Sequence, residues 1–283
     1  MKVCISAEST IDLPKELLVR YNIRTTPFGI NFNDKLVEDG EGVSKEIFEF
    51  VDKSKVLPKT SAVSPGQYEN YFNELKQEYD AVVHISLSSQ ISCAYNNACL
   101  VAGEMENVFV VDSKNLSTGI ALLAIYASSL VEKGLSALEI KDLVLASVDK
   151  VRTSFVLDQL KYMYKGGRCN AVTLLGANLL KIKPQIIVNN GKMGVGKKYR
   201  GKFEKVLLGY VAERLADKGD IDLDRVFVTH AGCDPKVVEE VVEAVKNTLP
   251  FKEVFVTRAG CTISSHCGAN TLGVLFVRKT PLA

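Results

Sequence analysis

The chain has 283 residues, 47% of them apolar, and its 35 basic and 33 acidic residues leave a net charge of +2. That length suits one large domain or two of ordinary size, each with a sizeable core, and the near-balanced charge lacks the broad positive field that nucleic-acid binding uses. Trp is absent, so stacking platforms for single strands are not evident, and no uncharged apolar run reaches the roughly 18 to 20 residues of a membrane helix.

In chain order, residues 2–7 read as a strand, 14–22 as a helix, 24–32 as an extended piece and 45–54 as a helix. Residues 66–79 carry apolar side chains at spacings of three and four, the mark of a longer helix. Residues 81–88 form a Val- and Ile-rich strand, 92–105 a helix, 107–113 a strand, and 117–133 a long helix. Strands separated by helices predict parallel pairing with right-handed crossovers, a doubly wound region. Ser136 with Glu139 three residues on is a capping box that opens the next helix and carries the chain to about residue 150. Beyond it, 153–157, 183–190, 192–199, 225–231 and 252–259 read as strands, with helices over 203–217 and 235–249. Asn190-Gly191 accepts the positive φ angles of a tight hairpin, which makes this second sheet mixed. The expected fold class is α/β in two parts, residues 1–150 and 151–283, with no Gly-, Ser- or Pro-rich linker between them.

The start, MKVCISAEST, goes straight from a strand into a loop, without the apolar stretch of a signal peptide. Seven cysteines, an odd count with no CxxC pair, favour reduced thiols and a cytoplasmic protein. Cys261, His266 and Cys267 are the one cluster of metal-ligand types, and their adjacency suits tetrahedral coordination poorly; no metal or other cofactor is expected.

Three hydroxyl-rich segments stand out. Ser86, Ser88, Ser89 and Ser92 follow an apolar strand and precede a helix, where loops at the carboxyl ends of parallel strands bind ligands and a helix N-terminus attracts anions; helix capping alone would explain them equally well. Lys59-Thr60-Ser61 precedes Ser64-Pro65-Gly66, of which Ser64 and Pro65 read as a cap and first turn, leaving Thr60 and Ser61 unexplained. A third stretch, residues 259–268, reads as a loop dense in Ser, Thr, Cys and Gly around His266. His84 and His230 read as structural. Arg168 follows paired glycines, and Arg200 lies in a basic run from Lys197 to Lys202 whose default reading is a solvated loop. Gly191 to Lys197 spells GxxxxGK, but Lys198 replaces the Ser or Thr of a phosphate-binding loop and the context is a hairpin. Ser92 with His266 leaves an acyl hydrolase or transferase open, though no GxSxG elbow surrounds any serine and no acid stands out as a third member.

Taken in order, Ser9–Pro14, Lys59-Thr60-Ser61 with Ser64-Pro65-Gly66, Ile85 to Ser89 through Ser92 and Ala94-Tyr95, Val111-Asp112-Ser113, Lys165-Gly166-Gly167-Arg168, Leu180 to Pro184, and the terminal loop with His266 and Leu272-Gly273 resemble the DegV family of bacterial fatty-acid-binding proteins. The resemblance covers essentially the whole chain. It implies two segregated domains, an N-terminal three-layer domain with a parallel sheet and a C-terminal two-layer α/β domain with a mixed sheet, and a long-chain fatty acid in a tunnel between them. It implies a carboxylate held by Thr60 and Ser92, with Ser61 and His266 beside them. It also implies a non-catalytic carrier that presents its acid to a separate ATP-binding fatty acid kinase subunit, with Arg168, Arg200 and His266 supporting the phosphate or the partner contact, and transient contact with a membrane. The sequence departs from the family at Glu8, where Asp is usual, at Cys93, where Gly commonly follows the ligand serine, and through residues 264–270 around His266.

Overall fold

The computed structural model describes residues 1–33, 35–40, 46–169 and 182–281; Leu180 and Lys181 of the expected motif lie outside them. The first half runs β1 (Val3–Glu8), a short 3-10 turn, α1 (Lys15–Arg20), β2 (Ile23–Thr26), β3 (Gly29–Phe32), β4 (Lys35–Glu38), α2 (Glu46–Ser54), β5 (Lys59–Ser61), α3 (Pro65–Glu78), β6 (Ala81–Ser86), α4 (Ala94–Ala102), β7 (Val108–Asp112), α5 (Thr118–Glu132) and α6 (Ala137–Leu145). The second half runs β8 (Val151–Arg152), β9 (Ser154–Leu157), α7 (Lys161–Gly166), β10 (Lys183–Asn189), β11 (Lys192–Tyr199), α8 (Phe203–Arg214), β12 (Ile221–Ala231), α9 (Pro235–Thr248), β13 (Glu253–Arg258), α10 (Cys261–Cys267) and β14 (Thr271–Arg278).

The parallel sheet has the order β2-β1-β6-β7. Every residue of β1 and β6 is buried, as expected of parallel strands covered on both faces. The second sheet is mixed, with the path β11-β10-β9-β14-β12-β13 and β8 also paired to β14; only β12 and β13 run parallel. A small antiparallel sheet, β4-β3-β5, stands apart. The α/β class with one parallel and one mixed sheet is therefore as expected, and Asn190 (φ 48°) and Gly191 (φ 79°) make the anticipated hairpin turn.

Alternation along the second sheet's strands divides its side chains between two cores. Val156, Val226, Val228, Val274 and Phe276 face α8 and α9, whereas Phe155, Leu157, Phe227 and Leu275 join the core of the first half. The element between the sheets is α5, which packs on β1 and β6 and also on β8 and β14. Its sequence, TGIALLAIYASSLVE, has no charge before the last residue, and a helix apolar on all sides belongs inside.

Several elements differ from expectation: β4, β5, β8 and α7 are absent from the sequence reading, and two further differences lie close to the centre of the molecule. Residues 259–268 are not a loop: they contain the helix α10. The central strand of the mixed sheet, β14, is also absent from the sequence reading, because its apolar run is interrupted by Gly273. That glycine is required by a close approach, since a Cβ there would lie 2.8 Å from the Ser154 carbonyl oxygen of β9.

The packing of α5 can be tested against a helix face with room. A Cβ on Gly119 would meet Thr153 Oγ1 at 2.4 Å and Asn115 Oδ1 at 2.8 Å, whereas one on Gly209 in α8 meets nothing within 4 Å. Gly119→Ala is expected to destabilise by about 1–3 kcal/mol and Gly209→Ala to stabilise by about 0.5–1 kcal/mol, both read by urea unfolding.

Candidate functional site

A cavity of 230 Å³ lies where the parallel sheet, the small sheet, α7 and α10 meet. Its wall is mostly apolar, with Phe28, Leu87, Leu116, Phe155, Met163 and Ile263 among the lining side chains. Its polar lining comprises Thr60, Ser92, Cys93, Arg168, Thr262 and His266. A smaller space of 30 Å³ shares Leu116, Phe155, Ile263 and Cys267 with it and extends toward Leu275 of β14.

Each polar residue arrives by a different route. Thr60 is carried by β5, where it pairs with Ile30 while Ser61 pairs with Gly29; neighbours on a strand point to opposite faces, so Thr60 reaches the cavity and Ser61 is exposed and outside its lining. Ser92 ends a loop that its own serines tie down. Ser86 Oγ donates to Glu8 Oε1 (2.6 Å), Ser88 Oγ to the Gly191 carbonyl of the hairpin (2.8 Å), and Ser89 Oγ to Asp112 Oδ2 (2.6 Å). Ser92 Oγ accepts the Ala94 N–H at 3.2 Å and lines the cavity beside Cys93 at the start of α4.

Glu8 anchors that loop from below. Fully buried, its Oε1 accepts from Tyr68 Oη (2.6 Å), Ser86 Oγ and His84 Nε2 (3.1 Å), and its Oε2 accepts the Leu87 N–H (2.9 Å). Burial would raise the carboxyl, but the His84 charge and the hydrogen bonds of His84, Ser86 and Tyr68 outweigh it and hold Glu8 below the ordinary glutamate range.

His266 and Thr262 share α10. Thr60 Oγ1 lies 3.0 Å from His266 Nε2. Gly166 gives the imidazole its space, because a Cβ there would lie 2.5 Å from His266 Nδ1, and Gly167 ends α7 with φ 66°. The paired glycines thus serve a close approach and a left-handed cap. Burial, then the Arg168 charge, push His266 down to about 4, so it is neutral near pH 7. Arg168 itself donates to the Gly166 carbonyl at 2.8 Å. Arg200 is exposed just past β11 and is not part of the cavity lining. Of the expected residues, the fold thus brings together Thr60, Ser92, Arg168 and His266, and leaves out Ser61 and Arg200.

Sequence reasoning misses Thr262 and the carboxylates that hold α10. Gly260 N–H donates to Asp12 Oδ1 (2.8 Å), Cys261 N–H to Asp39 Oδ1 (2.8 Å) and Thr262 N–H to Asp39 Oδ2 (3.1 Å). Burial pushes the Asp12 carboxyl up to about 8 despite donations from Ser117 Oγ and Gly260 N–H. The spacing of Thr262 and His266, four residues on one helix, would have paired them had the segment been read as helical; Asp39 carries no local signal.

A family model described as an uncharacterised protein of the DegV family matches residues 2–279. A fatty acid-binding protein of Thermotoga maritima is 29% identical over 284 residues, covering 96% of each chain. Among solved structures, that of a fatty-acid-binding DegV family protein from Thermus thermophilus superposes with a TM-score of 0.88 at 26% identity, covering 98% of this chain and 100% of the other. A stearic acid-binding protein from Eubacterium ventriosum gives 0.84 at 26% identity, covering 97% and 98%.

Because His266 sits well below its ordinary value of 6.5, the stability that depends on its neutral form is complete above about pH 6.5 and is lost as the pH falls toward 4. Between pH 7 and pH 4 this loss is expected to reach about 3 kcal/mol, and His266→Gln removes it. Urea unfolding of both proteins across that range checks this; parallel pH profiles would show that His266 is not the titrating group.

Proposed function

The chain belongs to the DegV family, and from that premise we propose that it binds a long-chain fatty acid in the cavity, carboxylate toward Thr60, Ser92, Arg168 and His266, and acyl chain along the apolar wall. The observation that carries this reading is one mostly apolar cavity with a cation, three hydroxyls and an imidazole among its lining side chains. Each buried methylene contributes about 0.8 kcal/mol, while a carboxylate removed from water needs donors and a compensating charge. Arg168 supplies the charge, and Thr60 and Ser92 the hydroxyls. The acid then lies between a 1–150 unit and a 151–283 unit, with its tail reaching the space beside Leu116, Phe155 and Cys267.

In this reading the protein is a non-catalytic carrier that works in the cytoplasm, takes its acid through transient membrane contact and presents it to a separate ATP-binding kinase subunit. Arg168 at the cavity and Arg200 on the surface past β11 are the cations offered to the phosphate or the partner. A hydrolase built on Ser92 and His266 is not favoured: among the described residues His266 Nε2 is engaged by Thr60 and Ser92 Oγ by the Ala94 amide.

Thr60→Val and Ser92→Ala are each expected to weaken fatty acid binding by about 1–3 kcal/mol through a lost hydrogen bond to a charged group, read by isothermal titration. Unchanged affinity in both variants would move the head group elsewhere. Native mass spectrometry of the purified protein is expected to show a retained long-chain acid; a protein that arrives empty and stays empty after exposure to such acids would overturn the reading.

A further inference from the structure

The cavity wall contains a hydroxyl that the carboxylate does not need. Helix α10 carries three hydroxyl side chains, and two are consumed by the backbone: Ser264 Oγ donates to the Ala259 carbonyl (3.1 Å) and Ser265 Oγ to the Cys261 carbonyl (2.7 Å). Thr271, just past the helix, likewise donates to the Cys267 and Gly268 carbonyls. Thr262 differs. It is 4% exposed, it lines the cavity, and its Oγ1 is buried with no hydrogen-bond partner among the described residues. A buried hydroxyl without a partner is costly, and a wall meant only for methylenes would be better served by valine, which has the same shape.

Thr262 and His266 are four residues apart on one helix, so their side chains follow one another on the same face, separated by about one turn, or roughly 5.4 Å. A carboxylate held at His266, Thr60 and Ser92 therefore leaves Thr262 beside the first few carbons of the acyl chain. We propose that Thr262 is a specificity residue for a second oxygen on the ligand, and that the preferred ligand is a long-chain acid bearing a hydroxyl or keto group near its carboxylate. This rests on the cavity being a fatty acid site and sharpens it. A site that presents an unpaired hydrogen-bonding group discriminates against the analogue lacking its partner far more strongly than an apolar wall discriminates between methylenes.

The test compares hexadecanoic, β-hydroxyhexadecanoic and ω-hydroxyhexadecanoic acids on the wild-type protein, Thr262→Val and Thr262→Ser, by displacement of a fluorescent fatty acid. Wild-type protein is expected to bind the β-hydroxy acid about tenfold more tightly than the parent acid and to gain nothing from the ω-hydroxyl. Thr262→Val is expected to lose the preference while binding hexadecanoic acid at least as well, which also shows that it folds, and Thr262→Ser to keep it. Equal affinities for β-hydroxy and parent acids in the wild-type protein, an equal gain from the ω-hydroxyl, or a preference that survives Thr262→Val would overturn the proposal. If the wild-type protein binds none of the three acids, the fatty acid reading fails and this proposal with it.

Discussion

Helix α10 is seven residues of Cys, Thr, Ile, Ser and His, too short and too poor in helix formers to persist alone. It is held by carboxylates from the far end of the chain. Asp39 receives the amides of Cys261 and Thr262, and Asp12 that of Gly260. Free N–H groups at a helix start need acceptors, and here two buried side chains more than 200 positions away provide them. Everything on the helix inherits its place from that cap, including the imidazole of His266, its contact with Thr60, and the position of Thr262 one turn earlier.

A second buried charge fixes the opposite wall. Glu8 gathers Tyr68, His84, Ser86 and the Leu87 amide at the end of the parallel sheet, so the loop bearing Ser92 leaves the sheet from a fixed point. Four hydrogen-bond donors converge on the buried Glu8 carboxylate, which supplies the partners that a charge removed from water requires. The two walls are joined by α5, whose side chains belong to both sheets. The cavity is thus bounded by elements that cannot move independently without exposing α5.

Much of this is legible in the sequence. The strands of the parallel sheet declare themselves through short runs rich in β-branched residues, the helix start at Ser64 through the Pro65 that follows it, the capping box at Ser136 through Glu139 three residues on, and the hairpin through Asn190-Gly191. Thr60, Ser92, Arg168 and His266 stand in hydroxyl- or glycine-rich segments that local structure only partly explains. What is not legible depends on partners far along the chain. The helicity of α10 is set by Asp12 and Asp39, the strand β14 is masked by a glycine that serves its neighbour β9, and the pairing of Thr262 with His266 exists only once that helix does. Ser61 and Arg200 illustrate the converse: their composition suits a carboxylate or phosphate, but strand alternation in one case and exposure in the other keep them away from the cavity.

The alternation of β5 also bears on how the site tolerates change in length. Lys59, Thr60 and Ser61 pair in turn with Asn31, Ile30 and Gly29, so inserting or deleting one residue in the connection before β5 would slide the strand by one position and turn a different side chain inward. One direction of sliding presents the ammonium of Lys59, the other the hydroxyl of Ser61. Either can meet a negative oxygen, which makes this strand a robust place for a head-group contact: an evolutionary slip there exchanges one donor for another instead of erasing the site.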